Sequence, residues 1–101
     1  MFGTIFSLKP RPGQEENIQK LFESWESDRG SDVEGIIGGY LFKDGYQAGE
    51  MTGVAVFSSH ETYRNNAANP AQDAWYQRLR ALLVADPEWH DSEVIMTAHS
   101  E

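Results

Sequence analysis

The sequence predicts an α+β fold in one domain spanning residues 1–101, and three observations predict it. Strand and helix patterns run strand–helix–strand twice over. A turn signal at Lys43-Asp44-Gly45 joins the two halves as a hairpin. The strands are apolar on both faces: Ile5 alternates with Thr4 and Phe6, and Val54 and Val56 alternate with Ala55 and Phe57. Two helical regions can cover only one side of such a sheet. The other side then calls for a second copy of the chain.

The first strand is expected over Phe2–Lys9, with Phe2, Thr4, Phe6 and Leu8 on one face and Gly3, Ile5 and Ser7 on the other. Pro10-Arg11-Pro12-Gly13 allows neither ladder nor helix to continue and reads as a connector. A helix follows over about Gln14–Asp28. Ile18, Leu21, Phe22 and Trp25 fall on one helical stripe, and Glu15 and Glu16 suit the positive end of its dipole. Arg29-Gly30-Ser31 ends it.

Ile36–Lys43 reads as the second strand, its Gly38-Gly39 pair inviting a bulge or a close approach. The hairpin loop extends as far as Gly49, and Glu50–Phe57 returns as the third strand. The region Ser59–Leu83 carries two helix starts. Ser58 with Glu61 forms one capping box, opening a helix to about Ala68; Asn69, Pro70 and Gln72 occupy cap, first-position and box sites of the next. Trp75, Leu79, Leu82 and Leu83 make its apolar stripe. Asp86-Pro87 stops it, and Glu93–Thr97 is expected as the last strand. A hairpin-paired sheet with a crossover helix in each half is the split βαβ arrangement of the ferredoxin-like class.

Composition narrows the function classes. Sixteen acidic against eight basic residues give a net charge of −8, which repels phosphate backbones, so no nucleic-acid partner is expected. No apolar run approaches the ~20 residues of a membrane span, so no membrane partner and a cytoplasmic location are expected. With no cysteine there is no thiolate nucleophile and no cysteine metal site. His60, His90 and His99 lack any metal-ligand spacing, and no metal is expected. Nucleotide-binding and serine-hydrolase motifs are absent.

Chemistry-bearing residues concentrate in His60-Glu61-Thr62-Tyr63-Arg64-Asn65-Asn66 and in Trp75. His60 falls in the first turn of a helix, where the dipole disfavours a proton on the ring; a neutral imidazole there accepts a proton from a phenol. The alternative is a surface histidine with no such role. Asn65 or Asn66 can aim an amide at a bound carbonyl, or act only as helix-end formers. Trp75 packs against the sheet and could border a cavity; Tyr40 has open space beside its glycines.

The opening strand, the Pro-Gly break, the Phe/Trp-striped helix, Gly38-Gly39-Tyr40-Leu41-Phe42, Gly53-Val54-Ala55-Val56-Phe57-Ser58-Ser59, and the Tyr63 helix leading to Asn69-Pro70 and a leucine-rich helix together resemble the antibiotic biosynthesis monooxygenase-like domain. That domain belongs to the dimeric α+β barrel superfamily, and the resemblance covers nearly the whole chain. It implies an antiparallel four-stranded sheet with helices on one face, paired with a second copy into a dimeric barrel. It also implies a pocket between sheet and helices. Some members of the family oxidise phenols or quinols with oxygen and without metal or flavin; others bind and degrade haem, and others have no known activity. Thr4 and Phe6 stand on the first strand where haem-degrading relatives place an asparagine, and no ligand histidine follows Trp75, which disfavours haem. The implied site has His60, Asn65 and Trp75 as catalytic groups and Thr4, Phe6, Phe22, Tyr40, Tyr63 and Leu79 as pocket walls. Such a protein needs no cofactor, forms a homodimer and acts on a small apolar or aromatic molecule. The rival expectation is a dimeric binding or regulatory module without turnover.

Overall fold

The structure, a computed structural model, describes residues 1–46 and 49–98. Its elements are β1 (Phe2–Leu8), α1 (Glu15–Asp28), β2 (Ile36–Lys43), β3 (Met51–Phe57), α2 (His60–Ala67), α3 (Pro70–Arg80) and β4 (Glu88–Glu93). A single 3-10 turn at Gly30–Asp32 follows α1. The strands form one sheet in the order β2-β3-β1-β4, antiparallel throughout. This is the expected ferredoxin-like arrangement, with all three helices on one face.

Register assigns every strand residue to a face. Thr4, Phe6 and Leu8 of β1 are buried beneath the helices, whereas Ile5 between them is exposed. Ile5 pairs with Val54 on one side and His90 on the other, and Val54 pairs with Tyr40. Paired residues point the same way, so Ile5, Val54, Val56, Tyr40 and Phe42 form the uncovered face. The helix-covered face holds one core of Phe6, Leu8, Ile18, Leu21, Met51, Trp75, Leu79 and Leu83. Gly53 is required there: a Cβ at this position would overlap the Phe6 ring.

Three elements depart from the expectations. The last strand is Glu88–Glu93, not Glu93–Thr97. Glu93 pairs with Phe2, and Val94 N–H donates to Met1 O at 3.0 Å, so β1 has nothing left to offer the residues beyond. The cap of α2 is Ser59 with Thr62, one residue later than Ser58 with Glu61; each side chain of the box serves the other's backbone N–H. The Pro10 connector does carry a ladder contact, an isolated bridge to Leu83. There Arg11 N–H donates to Leu82 O at 2.8 Å and Val84 N–H to Lys9 O at 2.9 Å, and the missing proline N–H is not needed.

Other local expectations match. The β2 register shifts between Ile36 and Gly38, the bulge signalled by the glycine pair. Asn69 caps α3 by accepting from Ala71 N–H at 2.8 Å, with Pro70 in the first turn. Among the described residues, no helix is long and apolar enough to cross a membrane. His99, named above, lies outside the described residues.

Candidate functional site

The interior layer between sheet and helices is aromatic. Phe6 stacks on Phe22 with centroids 5.8 Å apart, and Trp75 meets Phe22 edge-to-face at 5.0 Å. Trp89 of β4 lies 5.0 Å from Phe6 and 6.4 Å from Tyr76. An open cleft of about 710 Å³ reaches this layer at Phe22, between α1 and the β2–β3 edge. Its floor is Phe22, Leu41 and Met51, its rim Glu15, Glu16, Glu23 and Lys43. That volume lies in the range of small-molecule sites.

Two polar atoms in this layer stand out. Thr4 Oγ1 and Trp75 Nε1 are buried and have no hydrogen-bond partner among the described residues. A buried polar atom left unpaired costs about 1–3 kcal/mol. Trp75 is held in place by helical spacing, one turn before Leu79 on the buried stripe of α3. Thr4 is held by the β1 alternation.

Beside Thr4 sits an ion–phenol pair. Asp91 is the register partner of Thr4 on β4, and Tyr63 Oη of α2 donates to Asp91 Oδ1 at 2.7 Å. The Tyr63 ring lies against Phe2 at 5.3 Å and Phe57 at 5.5 Å. Burial first, then the hydrogen bond and negative charge of Asp91, push the phenol up to about 12; the Thr4 hydroxyl, off hydrogen-bonding geometry, opposes weakly. The folded chain therefore keeps this proton where the unfolded chain releases it. The stability it contributes is fully present below pH ~10 and is lost as pH rises through about 12.

The remaining expected residues are scattered. Leu79 is fully buried in the core. Tyr40 is 73% exposed on the opposite face and stacks on Phe42 at 6.1 Å, so it lines nothing between sheet and helices. His60 is exposed at the first position of α2, its ring 4.3 Å from that of Phe2. Asn65 is exposed, whereas its neighbour Asn66 turns inward and accepts from Arg29 Nη1 at 2.9 Å. Asp91 was missed by sequence reasoning, because the last strand was expected to begin only at Glu93. Placing the strand at 88–93 restores the alternation that turns Asp91 toward Thr4. No group of three His, Asp or Glu side chains suited to a metal ion occurs among the described residues.

No family model matches the chain, and no curated protein matches it. Solved structures do. SnoaB, a cofactor-independent oxygenase from Streptomyces nogalater, superposes with a TM-score of 0.81 at 16% identity, covering 95% of this chain and 94% of that one. A candidate antibiotic biosynthesis monooxygenase from Deinococcus radiodurans gives 0.80 at 14%, covering 100% and 99%. Rv0793 from Mycobacterium tuberculosis gives 0.78 at 14%, covering 97% and 98%. With sheet order, helix placement and whole-length superposition in agreement, the chain has the antibiotic biosynthesis monooxygenase-like fold.

Proposed function

We propose that the protein is a cofactor-independent monooxygenase acting on a small phenolic or quinol-type aromatic, and that it works as a homodimer. The observation that carries this reading is the pair of unpartnered atoms Thr4 Oγ1 and Trp75 Nε1 within an aromatic interior. An indole N–H only donates, so the missing partner is an acceptor such as a phenol, phenolate or quinone oxygen. The aromatic layer of Phe6, Phe22 and Trp75, which the open cleft reaches at Phe22, suits an aromatic guest. The overall likeness to a structure described as a cofactor-independent oxygenase points the same way.

The chemistry follows from those donors. Hydrogen bonds from Trp75 Nε1 and Thr4 Oγ1 lower the energy of the phenolate relative to the phenol. Asp91, already accepting from Tyr63, is the proton acceptor. Dioxygen adds to a hydrogen-bearing ring carbon of the phenolate to give a peroxide. Cleavage of its O–O bond with loss of water leaves a carbonyl, one oxygen atom in the quinone and the other in the water. His60 and Asn65, both exposed, take no part in this version of the site.

Oxygen uptake with a panel of hydroquinones, naphthols and polycyclic phenols tests the reading, with products identified by mass. Consumption above the buffer rate, with one labelled oxygen atom retained in the quinone, is the expected result. A folded protein that binds these compounds without consuming oxygen would replace the enzyme with the rival binding module.

A further inference from the structure

Arg29 lies where an apolar residue is expected. It continues the inward stripe of α1 beyond Trp25 by one turn and is 7% exposed. A guanidinium out of water is costly unless paired, yet Arg29 forms no ion pair among the described residues. Its acceptors are neutral amide oxygens on the other two helices. Nη1 donates to Asn66 Oδ1 of α2 at 2.9 Å and to Gln72 Oε1 of α3. The same Gln72 oxygen accepts from Trp25 Nε1 of α1 at 3.1 Å. All three helices are thus tied together at the Arg29 guanidinium. The tie displaces Gln72 from the capping-box role its position suggested.

This knot matters because α2 has little else to hold it. The helix is eight residues long and contributes no fully buried side chain. It joins α3 through Ala68 and Asn69 alone. Its other anchors include the rings of Phe2 and Phe57 against Tyr63, the ring of Phe2 against His60, and the contact of Tyr63 with Asp91. Gln72 lies one turn before Trp75 on α3, and Asn66 nearly one turn after Tyr63 on α2.

We propose that Arg29 is a positioning residue: by bonding Asn66 and Gln72 it sets the angle between α2 and α3, and so places Tyr63 against Asp91 and Trp75 against Phe22. The catalytic meaning of that placement rests on the proposed oxygenase reading; the placement itself does not. A long, directional, two-acceptor donor is what the corner requires, which is why arginine stands here in place of leucine.

The test compares Arg29→Met and Gln72→Met with Asn66→Asp, which keeps the acceptor and adds a carboxylate. Each is read by two probes: the alkaline titration of Tyr63, assigned by its loss in Tyr63→Phe, and acrylamide quenching of Trp75, assigned by its loss in Trp75→Phe. Arg29→Met and Gln72→Met are expected to bring the Tyr63 midpoint down from about 12 toward 10 and to raise Trp75 quenching at least twofold, with far-ultraviolet circular dichroism unchanged. Asn66→Asp is expected to leave both near native values. A folded Arg29→Met protein with native titration and quenching overturns the proposal. Should Arg29→Met not fold, Gln72→Met decides by the same criterion. If the native protein turns over no phenol, the oxygenase reading fails while these two readouts still judge Arg29.

Discussion

Replacing Val54 by glutamate is expected to turn the proposed homodimer into monomers of 11.4 kDa or into aggregates. Val54 is the centre of the uncovered face, paired with Ile5 on β1 and Tyr40 on β2. Ile5 is 47% exposed, Tyr40 73% and Phe42 54%, and all lie with Val56 on one side of the sheet. Burying a Val, Ile or Phe side chain fully from complete exposure is worth about 1.5–3 kcal/mol, and Ile5 and Phe42 have about half of that still to gain. A two-fold interface is self-complementary, so one substitution puts a carboxylate on both sides of it. Two desolvated like charges outweigh the gain from the remaining apolar contacts. Sedimentation equilibrium of the variant beside the native chain checks this. A native chain that sediments as a monomer shows that nothing covers the face, and a Val54→Glu dimer shows that the partner sits elsewhere.

Substitutions at Trp75 and Thr4 are expected to move stability in opposite directions while both weaken ligand binding. Trp75→Ala removes the largest ring of the core and costs about 3–5 kcal/mol, enough to unfold a marginal domain of this size. Thr4→Val keeps the shape and deletes a buried hydroxyl that has no partner. It is therefore expected to stabilise the free protein by about 1 kcal/mol, roughly 4–8 °C in Tm for a domain of this length. On the proposed reading the same variant loses a hydrogen bond to a bound phenol, so the ligand-induced rise in Tm is expected to shrink. Thermal melts with and without a naphthol separate the two effects. A Thr4→Val protein less stable than native would mean that the hydroxyl already has a partner in the free protein.

Much of the architecture is legible in the sequence, and the reasons are local. β1 and β3 announce themselves by alternation, α1 by its stripe, and α3 by Asn69-Pro70, each signal lying within a few residues of the structure it dictates. β4 is not legible. Glu-Trp-His-Asp-Ser-Glu has poor strand propensity and all six residues are exposed. It is a strand because β1 offers it an edge, while Val94-Ile95-Met96, with better propensity, has no strand left to pair with. Tyr40 was placed on the wrong face for a related reason. Which face it takes depends on pairing with Val54 across a bulge, and no short-range pattern specifies that register.

The candidate site divides in the same way. Thr4, Phe6, Phe22, Trp75 and Leu79 follow from the faces of their own elements, and the structure brings them into one layer. Asp91 and Arg29 depend on contacts between segments far apart in the chain. Tyr63 and Asp91 are separated by 28 positions, Arg29 and Gln72 by 43. Residue type alone gives no hint that an arginine would be buried by two amides.

The indole N–H resonances of the three tryptophans give the most direct reading of whether an oxygen-bearing guest occupies this interior. In the free protein Trp25 Nε1 is bonded to Gln72 and Trp75 Nε1 to nothing described. Titration with a phenol is expected to move the Trp75 signal downfield, saturably, and to leave the Trp25 signal in place. A Trp75 signal that stays still while the ligand binds elsewhere would contradict the account.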